Sequence, residues 1–236
     1  MQSTRRNALI IGAAVVVGAG AAGGYAWYAT RPKSSALADG TVSAAPATSA
    51  PVPSSDPRLA DRALGPTTAP VTVSEWFSLT CPHCARFAQE TYPRIKTDLI
   101  DAGRLRYVLK DFPLDQVALT AAMVARSLPP ERYEPFCMAL LASQDRWAFA
   151  RGVNSTDEIF KIAGLAGMSR ENFDKAVNDQ TLRAAILQEQ DYGAKILHVD
   201  STPTFIFNGP AAKDHRESGE MSFADFAKQV ASAAGA

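Results

Sequence analysis

Cysteine is scarce in this sequence. Three occur in 236 residues, at positions 81, 84 and 137, too few for a disulfide-stapled scaffold. A charge imbalance is missing as well: 24 basic side chains stand against 24 acidic ones. That balance argues against nucleic-acid affinity and against a polybasic membrane patch. Histidine is rare, at His83, His198 and His215. A zinc site built on Cys81 and Cys84 needs two more ligands, and only Cys137, His198 and His215 remain among the soft ones, with no second paired motif. No metal and no cofactor are therefore expected. There is no internal repeat. What is present is an ordinary globular composition, 47% hydrophobic and 20% charged, within the range of soluble domains.

Long uncharged runs are confined to the start of the chain. Arg5 and Arg6 precede a stretch without charge from Asn7 to Thr30, the pattern of an export signal. Thr4 to Leu9 resembles a twin-arginine signal loosely. Ala8 to Ala29 is also long enough to span a bilayer, with Tyr25, Trp27 and Tyr28 where interfacial aromatics belong. Ala19-Gly20-Ala21 and Ala36-Leu37-Ala38 both fit a small-x-small cleavage site. Residues 1–30 are thus a cleaved signal or an N-terminal membrane anchor, and both place the body outside the cytoplasm. Residues 31–60 are rich in Ala, Ser, Thr and Pro and read as a disordered linker. Residues 61–236 are enough for one domain with a sizeable core.

Within that body, Val71 to Phe77 alternates strictly and predicts a strand, with Val71, Val73, Glu75 and Phe77 on one face and Thr72, Ser74 and Trp76 on the other. A helix follows from the cysteines, with Cys84, Phe87, Ala88, Thr91, Ile95 and Leu99 on one stripe. Pro93 should kink it. Leu105 to Lys110 predicts a second strand. Helical periodicity then runs uninterrupted from about 113 to 198. Pro129-Pro130 opens one of these helices, a capping box at Ser155 to Glu158 another, Ser169 caps a third, and Gln180 to Leu197 forms a long one. Thr204 to Phe207 predicts a strand and Asn208-Gly209 a hairpin. Lys213 to Gly219 is a poor candidate for the returning strand, being charged and without β-branched residues. Ser222 to Ala231 closes as an amphipathic helix. The fold class is α/β with an inserted all-helical subdomain.

Chemistry concentrates at Cys81-Pro82-His83-Cys84. Two intervening residues bring both sulfurs within bonding reach on one helical turn. Cys81 lies at the helix start, where free N–H groups and the macrodipole favour an anion. That lowers the thiol pKa and supplies the nucleophilic thiolate. Pro82 suits the first helical position. His83 can add positive charge or a hydrogen-bond donor. Cys84 faces the core stripe, so Cys81 should be the exposed nucleophile and Cys84 the inward resolving thiol. A static bridge across one helical turn would close almost no loop and stabilise little. Glu75, on the apolar face beneath the pair, should have a raised pKa and could relay a proton to or from Cys84. The alternative is that Trp76 faces the core and Glu75 the solvent. Cys137, between Phe136 and Met138, should be buried and inert.

Val73 to Cys84 resembles the strand-into-active-site segment of the DsbA family of the thioredoxin superfamily. Ser201-Thr202-Pro203-Thr204-Phe205 resembles its cis-proline loop, and the helical block resembles its insertion. The resemblance runs from about Leu64 to Val230. It implies a thioredoxin fold with a helical insertion at about 113–198, thiol:disulfide oxidoreductase activity with Cys81 attacking, and a cis Thr202–Pro203 bond packed on the cysteine pair. It also implies exported, cysteine-containing client proteins as substrates, and reoxidation by a membrane partner of the DsbB type, a quinone-linked thiol oxidase. A monomer is expected. His198 and Ser201 stand where the family often has glycine; His198 could approach the site or simply end the long helix. The competing functions are disulfide reduction or isomerisation on the same fold, and a non-enzymatic metal- or client-binding module.

Overall fold

The computed structural model describes residues 50–236. The expected export segment and most of the expected linker lie outside the described residues. Five strands form one sheet: β1 (Arg62–Leu64), β2 (Val71–Phe77), β3 (Leu105–Asp111), β4 (Thr204–Gly209) and β5 (Ala212–Ser218). Their order is β1-β3-β2-β4-β5. β2 runs parallel to β3, pairing Val73 with Tyr107 and Glu75 with Leu109; β4 lies antiparallel on its other side, pairing Glu75 with Phe205.

Two strands differ from expectation. β1, for which the sequence predicts no strand, pairs antiparallel with β3 from Arg62 opposite Leu109 to Leu64 opposite Tyr107. Three residues are too few for an alternation to declare itself. β5 forms from the charged segment judged a poor candidate. It pairs only with β4, most of its residues are exposed, and an exposed edge both tolerates charge and is protected by it.

Both faces of the sheet are covered, so the choice between a buried Glu75 and a buried Trp76 dissolves: both are buried. On the Glu75 side lie α1 (Pro82–Glu90) and the final helix α9 (Phe223–Ala234), where Phe87 meets Phe205 and Phe226 at centroid separations of 4.7 and 6.1 Å. On the other side Trp76 clusters with Phe112, Val199 and Ile206. The long helix α8 (Gln180–Lys195) presents Gly193 to the Trp76 ring; a Cβ there would lie 2.6 Å from its Cζ3 atom. Glycine is required by that contact.

The helix of the cysteines breaks at Thr91, two residues before Pro93. It resumes as α2 (Tyr92–Ile95) and widens into a π-helical turn over Lys96–Ile100. Proline has no N–H for an intrahelical bond, which accounts for the break. Between β3 and β4 the chain is helical: α3 (Gln116–Arg126), α4 (Pro130–Leu141), a one-turn α5 (Gln144–Trp147), α6 (Ser155–Leu165), α7 (Arg170–Asn178) and α8. Ser169 caps α7 as expected. α6 is capped one residue earlier than expected, by Asn154, whose side chain accepts from the Thr156 and Asp157 N–H groups.

The helical block is tied to the sheet by a buried network. Arg126 Nε donates to Asp111 Oδ2 at 2.5 Å, and Tyr133 Oη donates to Asp111 Oδ1 at 2.8 Å. Arg126 Nη1 donates to the Ala60 carbonyl at 3.0 Å. Residues 54–60 therefore belong to the packed body. Leu59 is buried with Leu119, Leu182 and Ile186, Arg58 bonds Asp179 at 2.5 Å, and the Ser54 N–H donates to Glu189 at 3.1 Å.

Candidate active site

Cys81 is the N-cap of α1, with extended backbone, and its carbonyl accepts from the Ala85 N–H at 3.1 Å. Pro82 follows at the first helical position, exposed. The three-residue spacing puts Cys84 directly beneath Cys81. Both cysteines are free, as is Cys137. The sulfur expected to be exposed is not: Cys81 is 4% exposed and Cys84 0%. The Thr202–Pro203 loop accounts for the difference. Its peptide bond is cis, and the Thr202 carbonyl accepts from Cys81 Sγ at 3.2 Å.

The two thiols titrate in opposite directions. Cys81 is lowered to about 5. A hydrogen bond from the Cys84 thiol is the largest cause. Burial opposes it, while the Thr202 side chain and the backbone N–H groups of Cys84 and His83 add to it. Cys84 is pushed well above the ordinary thiol value, first by burial, then by donating to Cys81, with the Glu75 charge adding. The expected asymmetry therefore resides in proton affinity more than in exposure.

His83 contributes differently from expectation. Its backbone N–H faces the Cys81 sulfur, while its exposed ring turns to Glu220, with Nδ1 3.5 Å from Oε2. Arg86 holds the other oxygen of Glu220. The first turn of α1 leaves the His83 side chain on the solvent side, out of line with the sulfur.

Glu75 is 3% exposed. Its Oε2 accepts from Tyr107 Oη at 2.6 Å. Its pKa rises to about 7, driven by burial, opposed by the Tyr107 bond and helped by the Cys81 charge. No basic side chain pairs with it among the described contacts.

Three participants escaped the sequence reading. Tyr107 sits on a recognised strand, but its partner is fixed only by sheet register. Gln144, buried on α5, donates from Nε2 to the carbonyls of Leu79 at 2.7 Å and Cys81 at 3.0 Å. Asp115, the N-cap of α3, accepts from Thr80 Oγ1 at 2.7 Å. His198 is exposed beyond the end of α8 with φ of 54°, and Ser201 is exposed, bonding its neighbour Asp200. Cys137 is buried in the main core, its thiol pushed up by burial. Among the described residues no cluster suits a metal ion.

The thioredoxin family profile matches residues 58–225. The chain belongs to the thioredoxin family. Within it the likeness is to DsbA-type members. A Rickettsia conorii protein named for protein-disulfide oxidoreductase activity is 32% identical over 151 residues, 63% of this chain and 53% of the relative. Disulfide bond formation protein D of Bacillus subtilis is 22% identical over 170 residues, 67% of this chain and 72% of the relative. The crystal structure of Wolbachia pipientis alpha-DsbA1 superposes with a TM-score of 0.67 at 28% identity, covering 72% of this chain and 89% of that one. The chain spans about half the length of the Rickettsia relatives it matches.

Proposed function

We propose that the protein is an extracytoplasmic thiol:disulfide oxidoreductase that forms disulfides in exported proteins through Cys81 and Cys84. The observation that carries this is the placement of Cys81 at the N-cap of α1 against the cis Thr202–Pro203 loop, with the buried Cys84 one turn below it; it lowers the first thiol and raises the second. At pH 7 a thiol titrating at about 5 is ionised about a hundred to one. That stabilises the dithiol form by about 3 kcal/mol, or about 60 mV. A stabilised dithiol makes its disulfide a stronger oxidant, which favours oxidation of clients over their reduction.

The oxidised enzyme carries the Cys81–Cys84 disulfide. A client thiolate attacks Cys81 Sγ, forming a mixed disulfide and breaking the enzyme bond, and Cys84 leaves as a thiolate. Cys84 holds a proton strongly, and Glu75, half protonated near pH 7, supplies one. A second client thiolate then attacks the client sulfur of the mixed disulfide. The client disulfide forms and Cys81 departs as the low-pKa leaving group. Two electrons have moved from client to enzyme. Thr202 and Pro203 form the wall against which the client lies, Pro82 starts the helix without an N–H to lose, and His83 acts through its backbone N–H. The dithiol is reoxidised by a membrane thiol oxidase of the quinone-linked type.

The location rests on the uncharged stretch after Arg5-Arg6 and on the chemistry, since net disulfide formation belongs to oxidising compartments. We take residues 1–30 as the export or anchor segment, 31 to the low fifties as the linker and the remainder as the catalytic domain. Among the described residues no helix is long and apolar enough to cross a membrane. Equilibration of the protein with glutathione tests the direction: a potential near −120 mV is expected, and one near −270 mV would make it a reductase. Cys81→Ser should abolish client oxidation.

A further inference from the structure

We infer that Gln144 is a positioning residue for Cys81: from the helical block it fixes the backbone of residues 79–81, so that the first-turn N–H groups of α1 stay aimed at the sulfur. This rests on the reading of Cys81 as the attacking thiol. The Gln144 amide nitrogen carries two hydrogens, and each has a carbonyl to meet, Leu79 at 2.7 Å and Cys81 at 3.0 Å. The side chain is buried, and its own backbone is held in turn. The Gln144 carbonyl accepts from the Ala148 and Phe149 N–H groups at 2.9 and 3.0 Å. Trp147, wholly buried one turn on, donates to the Leu140 carbonyl at 2.8 Å.

The consequence for the sulfur follows from electrostatics. Carbonyl oxygens beside a thiolate are negative ends of dipoles and oppose its charge. A donor on each draws that negative potential away and prevents the peptide planes from rotating. The Cys81 carbonyl also receives the Ala85 N–H, so Gln144 grips the atom that begins the helical ladder. On the other side of the same loop, Thr80 Oγ1 is held by Asp115, and Ser78 Oγ accepts from the Leu114 N–H at 3.3 Å. The helical block thus clamps the cysteine loop from two sides, and of these contacts the one from Gln144 reaches the carbonyl of Cys81 itself. Without it, the Leu79 carbonyl would lose its donor and the Cys81 carbonyl would keep only the Ala85 N–H, and the peptide planes would reorient.

The test is Gln144→Met, which keeps the volume and removes the donors. In the refolded, purified full chain the apparent Cys81 thiolate pKa, followed by absorbance at 240 nm, should rise by about one unit. The equilibrium constant for oxidation of glutathione should fall about tenfold. Gln144→Glu, similar in shape but ionised near neutrality, should shift both in the same direction. Values for both variants within twofold of wild type, with only a lower melting temperature, would overturn the proposal, because a merely structural role moves stability alone. Should neither variant fold, the wild type decides: its Gln144 side-chain amide protons should exchange slowly with solvent, and exchange at the free-amide rate would overturn the proposal. The reading beneath is tested separately by Cys81→Ser; if that variant oxidises thiols normally, the reading fails, whatever Gln144 does.

Discussion

Two buried carboxylates on neighbouring strands sit in opposite electrostatic surroundings. Glu75 on β2 and Asp111 on β3 are 3% and 2% exposed. Each accepts a hydrogen bond from a buried tyrosine, Tyr107 at 2.6 Å and Tyr133 at 2.8 Å. Only Asp111 also has a guanidinium, that of Arg126 at 2.5 Å. Burial opposes the Arg126 charge, but Asp111 and Tyr133 outweigh it and hold the group charged. Asp111 is thereby a structural anchor between sheet and helical block. Glu75, without a cation, is free to exchange a proton near neutral pH beneath Cys84. On the mechanism proposed above, the same residue chemistry in the same sheet serves as scaffold or as acid–base group according to whether a permanent positive charge accompanies it.

The comparison breaks most visibly on the scaffold side. Arg126→Leu should strand Asp111 without its partner and cost about 3–5 kcal/mol of unfolding free energy in urea melts. Arg126→Leu combined with Asp111→Leu should recover most of that loss, because removing both charges leaves no unpaired ion. If the double variant is no better than the single, the pair is not the reason for the loss.

On the Glu75 side the signature is pH dependence. Burial raises the folded carboxyl to about 7, against the 4.5 of an unperturbed glutamic acid. The folded state therefore holds its proton where the unfolded chain has released it. Its stability is fully present below about pH 4.5, falls by about 3 kcal/mol as pH rises through 7, and levels off above. Melts of the oxidised protein, in which Cys81 and Cys84 do not titrate, should show this slope, and Glu75→Gln should flatten it. The same variant should slow exchange at Cys84 about a hundredfold, the lower end of what a positioned general acid–base group contributes. Tyr107→Phe sharpens the contrast further: without the bond that opposes burial, the Glu75 pKa should climb by about one unit, moving the pH–rate profile alkaline.

The smallest effect is expected at Cys137. It is buried in the main core, its thiol pushed up by burial. Cys137→Ala should cost about 1 kcal/mol in a melt and leave thiol–disulfide exchange unchanged, in contrast to Cys81→Ser, which should abolish it.

The locally encoded features were legible. β2 has the bounds its alternation announced, and α7, opened by Ser169, has the cap its sequence signalled. β1 and β5 were not, because β1 is three residues long and β5 owes its strand state to pairing with β4 rather than to its own composition. The site divides in the same way. Cys81 and Cys84 sit where their spacing and the following Pro82 and His83 put them. Gln144 carries no signal of its own: its role depends on contacts 63 and 65 residues away.

What the sequence determined by itself is the candidate reactive pair, because an N-cap cysteine and a second cysteine three positions on meet within one helical turn. The tertiary structure decided how unequal they are. The Thr202 carbonyl arrives from 121 residues away to cover Cys81, Tyr107 from 32 residues away to hold Glu75, and the helical block to grip the loop between. Helix geometry acts over four residues, whereas desolvation and charge pairing depend on whatever the fold brings within a few ångströms.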